Sequence, residues 1–373
     1  MTAPRLEIDL AKIHHNALTL VQRLAERGIS VTGVTKAALG SSEIAAVLLR
    51  AGVTGLADSR IENVEAMRRA HISAAMTLIR SPMVSQAGRV VAHADVSFNT
   101  ELDVISALSS AARAAGRTHG VVLMVELGDL REGLMPGRLL HVVRETLRFP
   151  NIRFKGIGTN LACRCGVSPD ARNMAELSAL AGSIEAVSGR TVDLVSGGNS
   201  GSLPWALSGV DTGRINNLRL GESLLLGCEP LHRQPIDGLH TDAITLVAEV
   251  IESNVKPSQP WGDMGQAALG EQPPVTDRGN ISQTILALGE QDTDCDGLHP
   301  PPGIEILGAS SDHLITNSHG KRLPIGTEVP FHVNYSALLR AMTAPFVAKI
   351  MKGQPGQGSH GADHDRRPVA VVG

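Results

Sequence analysis

The chain has few aromatic side chains, few cysteines and no excess of either charge. Its 373 residues include five Phe, two Trp, one Tyr and four Cys. The 34 basic and 37 acidic side chains leave a net charge of −3, whereas a sequence-independent nucleic-acid binder normally carries a basic excess. No apolar run approaches the ~20 residues that a membrane-spanning helix needs. We therefore expect neither a nucleic acid nor a membrane as a partner.

The start of the chain and its cysteines predict a cytoplasmic protein. Residues 1–12 lack the basic and then apolar order of a signal peptide, and four scattered cysteines fit a reducing compartment. Cys163 and Cys165 have no further ligands at suitable spacing, so we expect structural roles for both and no bound metal. Hydrophobic residues make up 42% of the chain, which is enough to bury a sizeable core. The length suggests about two domains.

Short β-branched apolar runs alternate with alanine- and leucine-rich amphipathic stretches over residues 1–236. Eight such runs begin near Val31, Thr54, Ala75, Asp95, Gly120, Phe154, Thr191 and Ile215. Near-continuous apolar strands separated by helical patterns are typical of parallel strands that are covered on both faces. Eight βα units predict an α/β fold with a (β/α)8 TIM-type barrel, preceded by a short strand and helix. A Rossmann fold is the alternative, but no G-x-G-x-x-G follows the first strand.

The pattern changes after this region. Residues 237–350 contain strand-like runs separated by Pro- and Gly-rich turns rather than helices, which predicts a C-terminal all-β domain. Residues 354–373 combine glycine, proline and charge without periodicity, which predicts a disordered tail. We expect its two histidines, His360 and His364, to be solvated rather than to bind metal.

Lys36 is an unusual residue at the end of the first apolar run, directly after the segment 31–35. Burying an unpaired ammonium group is costly. Such a lysine is therefore either a snorkelling side chain at the rim of the barrel or a desolvated amine suited to Schiff-base formation. Active sites of this fold lie at the carboxyl ends of the strands, which favours the second interpretation.

The later strands end in residues that can bind anions. A Ser- and Gly-rich loop, residues 196–202, ends the seventh strand, and the eighth strand carries residues 218–223. Such loops offer N–H and hydroxyl groups to a phosphate, and a phosphate site after strands seven and eight recurs in this fold. Arg131, after the fifth strand, either pairs with neighbouring acids or binds an anionic oxygen. Together with Lys36, a phosphate site suggests pyridoxal phosphate.

Several ordered blocks carry a family resemblance. They are ADSRIENV, VELGDLREG, KGIGTNL, VSGGNS, NLRLGES, LGEQDTD and ILGASSDHL. In these blocks the sequence resembles the alanine racemase family of fold-type III pyridoxal-phosphate enzymes and, within it, the ornithine racemase branch. The resemblance implies an isomerase that interconverts the L and D forms of an amino acid, with a dibasic substrate such as ornithine, by two-base abstraction of the α-proton. It also implies a head-to-tail homodimer in which each β domain completes the partner's active site.

The resemblance also implies roles for individual residues. Lys36 is the Schiff-base lysine and the base for one face of the α-carbon. Arg219 faces the pyridine nitrogen of the cofactor, and Arg131 lies near its phenolic oxygen and the substrate carboxylate. Three residues fall on phosphate-binding positions: Asn199, Ser200 and Gly221. Two fall where the partner's β domain approaches the substrate carboxylate: Ser311 and Asp312.

Three positions depart from the family. Asn160 stands where a histidine usually stacks under the cofactor ring, and the tyrosine that usually follows the cofactor lysine is absent. The usual second base, a tyrosine, is replaced by Glu290. By position, the only tyrosine, Tyr335, matches a contact to the cofactor phosphate. The candidates for the second catalytic base are Tyr335, His313, Glu290 and Asp292.

Two further points stay open at the level of sequence. Asp292 and Asp294 are the acids available to bind a distal amine of the substrate, although a surface turn or helix cap is the competing explanation. A fold-type III decarboxylase is an alternative function, and a shift of register would place Glu222 rather than Arg219 at the pyridine nitrogen. A non-catalytic pyridoxal-phosphate homeostasis protein is another, but such proteins lack the β domain.

Overall fold

A short strand and a helix open the chain. Strand β1 covers Arg5–Asp9 and helix α1 covers Leu10–Ala25 in the computed structural model, which describes residues 2–266 and 276–353. The Asp9 carboxylate caps α1 by accepting hydrogen bonds from the backbone N–H groups of Ala11 and Lys12. The helix buries side chains at spacings of three and four residues, namely Leu10, Ile13, Ala17, Leu20 and Leu24. This spacing gives the helix one apolar face.

Eight parallel strands then close into a barrel. They are β2 (Ser30–Val34), β3 (Gly55–Asp58), β4 (Met76–Leu78), β5 (Val96–Asn99), β6 (His119–Val125), β7 (Ile152–Thr159), β8 (Leu194–Ser196) and β9 (Asn217–Leu220). Strand β9 pairs with β2, with Arg219 opposite Thr32, and this pairing closes the ring. The TIM-type barrel predicted from the eight apolar runs is confirmed, and the open Rossmann sheet is excluded.

A helix follows each barrel strand. The helices are α2 (Ser42–Arg50), α3 (Ile61–Arg69), α4 (Ala87–His93), α5 (Leu102–Ala114), α6 (Pro136–Thr146), α7 (Ala171–Ser188), α8 (Leu203–Ala206) and α9 (Glu222–Leu226). Gly156 in β7 shows how closely the strands approach. Its φ is +149°, and a Cβ there would lie 1.9 Å from the carbonyl oxygen of Leu194 in β8. Glycine is therefore required for β7 and β8 to pair.

The described residues after the barrel form a mainly antiparallel sheet, which confirms the predicted β domain. Its strands are β10 (Ile244–Pro257), β11 (Asn280–Leu286), β12 (Leu298–His299), β13 (Glu305–Ala309), β14 (Leu314–Asn317), β15 (Glu328–Val333) and β16 (Ala348–Lys352). Six of them pair in the order β12-β15-β10-β11-β14-β13, and β16 pairs with β1. Helix α10 (Tyr335–Thr343) lies between the last two strands and was not expected in an all-β region.

Strand β1 belongs by its hydrogen bonds to this second sheet. Leu6 lies opposite Leu246 of β10 in an antiparallel pairing and opposite Lys349 of β16 in a parallel one. The sequence grouped this strand with the barrel in residues 1–236, because it precedes the barrel in the chain. The division at residues 236 and 237 stays a prediction, and the predicted tail, residues 354–373, lies outside the described residues. Among the residues described, no helix is long and apolar enough to cross a membrane.

Candidate active site

The carboxyl ends of the barrel strands surround a cavity of about 220 Å³. The structure brings together in it every residue predicted to bind the cofactor: Lys36, Arg131, Asn160, Asn199, Ser200, Arg219, Gly221 and Tyr335. All but the last follow or lie in barrel strands, whereas Tyr335 is the first residue of α10. The cavity is thus lined by one chain, with side chains from the barrel and from the C-terminal region.

Lys36 begins a 3₁₀ turn, Lys36–Ala38, directly after β2. Its side chain is half-buried, and its Nζ lies 5.5 Å from the centroid of the Tyr335 ring. The face of an aromatic ring attracts a cation electrostatically, so the ring helps to hold the amine at the cavity. The preceding residue, Thr35, donates a hydrogen bond of 2.8 Å to the Oδ2 atom of buried Asp58 and thereby fixes the strand end.

Arg219 is buried beside the cavity as a fixed donor. Its Nη1 donates to the Oγ atom of Ser196 at 2.7 Å, and its Nη2 donates to the carbonyl oxygen of Thr159 at 2.8 Å. Its guanidinium also lies 5.0 Å from the centroid of the Phe98 ring. Burial lowers the pKa of Arg219 to about 10, so the side chain is still protonated at neutral pH.

Asn160 carries a buried amide group without a protein partner. Its Oδ1 accepts hydrogen bonds from Asn199 Nδ2 at 3.1 Å and from Arg219 Nη2 at 3.3 Å. Its Nδ2, in contrast, is buried and has no acceptor in the described residues. An unsatisfied buried donor costs about 1–3 kcal/mol. The Nδ2 group therefore points to an acceptor supplied by a molecule bound in the cavity.

The loops after β8 and β9 form a cradle of neutral donors. The Oγ atoms of Ser200 and Ser223 lie 3.0 Å apart, and the backbone N–H of Ser223 donates to Ser200 Oγ at 3.2 Å. Asn199 shapes the turn, because its Oδ1 accepts a 2.7 Å hydrogen bond from the N–H of Gly201. Hydroxyl and N–H donors grouped in this way suit a phosphate. Together with the free amide of Asn160, these residues fit the phosphorylated cofactor predicted from the sequence.

The loop after β6 holds Arg131 at the cavity. The guanidinium of Arg131 pairs with the carboxylate of Glu132, and this ion pair raises the pKa of Arg131 above its ordinary value. The Oε2 atom of Glu126 accepts a hydrogen bond of 3.2 Å from the backbone N–H of Arg131. Gly133 closes the loop with a φ of +153°, where a Cβ would lie 2.4 Å from the nitrogen of Glu126. The sequence left pairing and anion binding open for Arg131, and the structure shows the pairing.

Asp129 in the same loop was not identified from the sequence. It is fully buried, and its carboxylate accepts hydrogen bonds from the backbone N–H groups of Cys163, Arg164, Cys165 and Val167. This acid therefore holds the segment 162–167 against the barrel mouth, and two residues of that segment, Ala162 and Cys163, line the cavity. Its position between Glu126 and Arg131 in a block rich in charge concealed its role.

A second ion pair, Glu222–Arg233, lines the cavity beyond the phosphate cradle. Arg233 Nη1 donates to Glu222 Oε1 at 2.6 Å. Burial raises the pKa of Glu222, although Arg233 opposes the shift. Glu222 makes no hydrogen bond to Asn160 or to the end of β7, whereas Arg219 contacts both. The shift of register that would exchange these two roles is therefore not observed.

The predicted contacts from the β domain lie elsewhere in the same chain. Ser311, Asp312 and His313 are found in the turn between β13 and β14, and none of them lines the cavity. Asp312 is exposed, and its Oδ1 lies 2.8 Å from His313 Nδ1. This contact lowers the pKa of Asp312.

The segment 289–294 packs against this turn. The backbone N–H groups of Glu290 and Gln291 donate to the carbonyl oxygens of Ser310 and Ser311, so the two segments form one surface. Asp292 is buried, and its Oδ2 accepts a 3.0 Å hydrogen bond from the N–H of Gly289, which closes a turn. The side chain of Asp294 caps no turn. None of these acids lines the cavity of its own chain.

Cys163 and Cys165 are free and exposed, and Cys163 lines the cavity. Its Sγ lies 3.2 Å from the Asn199 Nδ2 group. Within residues 2–266 and 276–353, no three His, Cys, Asp or Glu side chains lie close enough to hold a metal ion.

Comparisons with known proteins place these features in context. A family model described as the alanine racemase N-terminal domain matches residues 8–229. The chain is 37% identical to ornithine racemase of Acetoanaerobium sticklandii over 93% of this chain and 99% of that protein. It is also 37% identical to lysine racemase of Thermotoga maritima, over 94% and 99% of the two chains. The crystal structure of alanine racemase from Streptomyces lavendulae matches with a TM-score of 0.73, at 18% identity, over 95% of this chain and 98% of that one. At that identity the likeness shows the fold alone.

Proposed function

The chain belongs to the alanine racemase family, and from this membership we propose that it is a pyridoxal-phosphate-dependent racemase of a dibasic amino acid such as ornithine or lysine. The observation that carries the proposal is that Lys36, Arg219 and Ser200 of the cradle line the same cavity. The names of the two relatives matched over nearly the whole chain support a dibasic substrate. We place the reaction in the cytoplasm.

The residues of the cavity divide the work of holding the cofactor. Lys36 would hold it covalently, and Ser200 and Gly221 would bind its phosphate. Asn160 would donate its free amide N–H, and Arg219 would donate to the pyridine nitrogen. Because Arg219 stays protonated at neutral pH, it would favour an unprotonated ring nitrogen and so limit side reactions.

Pyridoxal phosphate, when bound, withdraws electrons from the substrate's α-carbon and so makes the α-proton removable. Lys36 Nζ takes or returns this proton on one face. Arg131 orients the substrate carboxylate. Since racemisation must deliver a proton to either face, a second group is needed on the face opposite Lys36.

We assign the second base to the β domain of a second chain. Tyr335 lies beside Lys36 in the same cavity, which suits the predicted contact to the phosphate. His313 and Glu290 lie on the surface formed by segments 289–294 and 310–313. Neither lines the cavity of its own chain, so we propose that another subunit presents them. The head-to-tail homodimer inferred from the family would do so, and we propose His313 as the base, because an imidazole can both accept and donate a proton.

The same surface offers a partner for the distal amine of the substrate. The carboxylate of Asp292 is engaged in its own turn, whereas the side chain of Asp294 makes no such contact. We therefore propose that Asp294, presented by the second chain, binds the distal ammonium. The two alternative functions have less support. The antiparallel domain opposes a homeostasis protein, and the contacts of Arg219 oppose a decarboxylase.

The deciding experiment is incubation of the holoenzyme with each of about twenty L-amino acids, followed by chiral chromatography. We expect the D enantiomer to accumulate from ornithine or lysine. In D₂O, deuterium should enter the α-position with no release of carbon dioxide. Release of carbon dioxide would establish a decarboxylase, and no exchange with any amino acid would favour a non-catalytic protein.

A further inference from the structure

The phosphate cradle is built of neutral donors. Ser200 contributes a hydroxyl group to the cavity wall, with the hydroxyl of Ser223 hydrogen-bonded behind it, and Gly221 contributes a backbone N–H. A phosphate monoester, however, carries about −1.5 to −2 charges at pH 7. Four cationic side chains line the cavity: Lys36, Arg131, Arg219 and Arg233. Their existing contacts decide which of them is free to face the phosphate.

Three of these cations are already committed. In the proposed function Lys36 holds the aldehyde end of the cofactor. Arg131 uses its Nε and Nη2 groups on the carboxylate of Glu132. Arg219 donates to Ser196 and to the carbonyl oxygen of Thr159, at the ends of β8 and β7.

Of the three arginines that line the cavity, Arg233 uses the fewest of its side-chain donors in the described residues. Its Nη1 donates to Glu222, and no other acceptor takes a hydrogen bond from its side chain within the chain segments that the structure describes. Glu222 directly follows Gly221 of the cradle, and these two residues, Ser200 and Arg233 all line the same cavity. The ion pair therefore holds the guanidinium on the phosphate side of the cavity.

The loop that carries Arg233 is internally braced. The carboxylate of Glu229 accepts hydrogen bonds from the backbone N–H groups of Leu231, His232 and Gln234, at 2.7 to 3.1 Å. Arg233 itself has a φ of +59°, in the left-handed region that a non-glycine residue adopts at a cost. This bracing fixes the direction in which the Arg233 side chain leaves the loop.

The negative charge of Glu222 gives Arg233 a second role beside the cradle. An unpaired carboxylate next to the cradle would repel a phosphate, and pairing with Arg233 cancels that charge. We propose that Arg233 is the cation that binds the phosphate of the cofactor, and that Glu222 positions its guanidinium. The inference rests on the proposed function, because it takes pyridoxal phosphate as the molecule in the cavity.

The test compares two ligands that differ only in the phosphate. Pyridoxal phosphate and pyridoxal are titrated into the full-length chain freed of cofactor, and binding is followed by absorbance. We expect Arg233→Met to weaken the binding of pyridoxal phosphate about 10-fold and that of pyridoxal less than about 3-fold, since a partly exposed charged contact is screened by water. Arg233→Lys should retain part of the affinity. Arg214→Met, which breaks the surface pair Arg214–Glu185, is the matched control and should change neither ligand.

A double variant separates a charge effect from a structural one. Arg233→Met leaves Glu222 unpaired, so Glu222→Gln combined with Arg233→Met should bind pyridoxal phosphate more tightly than Arg233→Met alone. The role of Arg233 would be overturned if the parent chain binds pyridoxal phosphate but Arg233→Met weakens the binding of both ligands equally. It would also be overturned if Arg233→Met weakens the binding of neither. A parent chain that binds neither ligand would overturn the proposed function, and the inference with it.

Discussion

At the barrel mouth, Asp129 is fully buried and its carboxylate accepts hydrogen bonds from the N–H groups of four residues. At the edge of the C-terminal sheet, Asp312 is exposed, and among the described residues its carboxylate contacts only its neighbours, Ser311 and His313. Both regions contain acids and bases, but the barrel surrounds its charged groups with partners from the same chain. The sheet edge leaves the Asp312–His313 pair exposed to water.

This difference indicates which charged groups are oriented within one chain and which need a second chain. A charge fixed by buried hydrogen bonds, such as that of Arg219, is oriented before any ligand binds. An exposed pair, such as Asp312–His313, is screened by solvent and gains strength only when another surface covers it. The cavity at the barrel mouth is therefore lined within one chain, and we expect the sheet edge to contribute to a site only in a dimer.

The largest expected effect on this difference between the two regions comes from removing the amine of Lys36 in the barrel. Lys36→Ala should lower the racemisation rate by about 10³-fold or more, because it removes both the covalent link and one base. Borohydride treatment followed by mass spectrometry should find no cofactor attached to the variant. Lys256→Ala, which breaks a pair in the C-terminal sheet, is the control and should keep both properties. Cofactor still fixed to Lys36→Ala would show that another residue holds it.

A second test compares the two acids. Asp129→Ala should lower the free energy of unfolding by about 2–4 kcal/mol, because it leaves buried N–H groups without an acceptor. Asp312→Ala should not shift the urea midpoint measurably, since that side chain is exposed. Similar midpoints for the two variants would mean that the buried contacts of Asp129 do not stabilise the chain.

A third test uses pH on the barrel interior. Burial lowers the pKa of His119 to about 4, and its Nε2 lies 2.8 Å from Ser97 Oγ. Between the ordinary pKa of about 6.5 and a pKa of about 4, the unfolded state binds a proton that the folded state does not. Stability should therefore fall as the pH falls through this range, by about 3 kcal/mol in total. His119→Gln should flatten this part of the curve of unfolding free energy against pH. An unchanged slope would assign the acid sensitivity to other groups.

A fourth test addresses the sheet edge. If Asp294 binds the distal ammonium, Asp294→Asn should raise the KM for ornithine about 10-fold relative to the KM for alanine, because a charged hydrogen-bond partner is lost. Asp292→Asn is the matched control, since its carboxylate closes a turn, and it should change the two KM values alike. A selective effect of Asp292→Asn alone would exchange the roles of the two acids.

The smallest expected effect tests whether two chains share a site. Lys36→Ala and the triple variant Ser311→Ala/Asp312→Ala/His313→Ala should each be inactive. Mixed under conditions of subunit exchange, they should recover about a quarter of the parent activity, because half of the dimers are hybrids and each hybrid has one intact site. Mixing each variant with itself is the control. No recovery despite exchange, measured by native mass spectrometry, would place the whole site within one chain.

The sequence by itself determined the barrel and much of its mouth. Apolar runs such as that of β6 specify strands by their β-branched composition, and a ring of parallel strands must place all its carboxyl ends on one side. Lys36, Asn160, Ser200 and Arg219 could therefore be predicted to meet, because each lies at or near the end of a strand.

Only the tertiary structure decided the contacts between segments that are distant in the chain. It joined β1 to β10 and β16, placed Tyr335 of α10 beside Lys36, and paired Arg233 with Glu222. It also buried Asp129 under residues 163–167. These contacts depend on how the barrel, its loops and the second sheet pack together in three dimensions. Local periodicity specifies which face of a strand or helix is buried, but it does not specify what packs against that face.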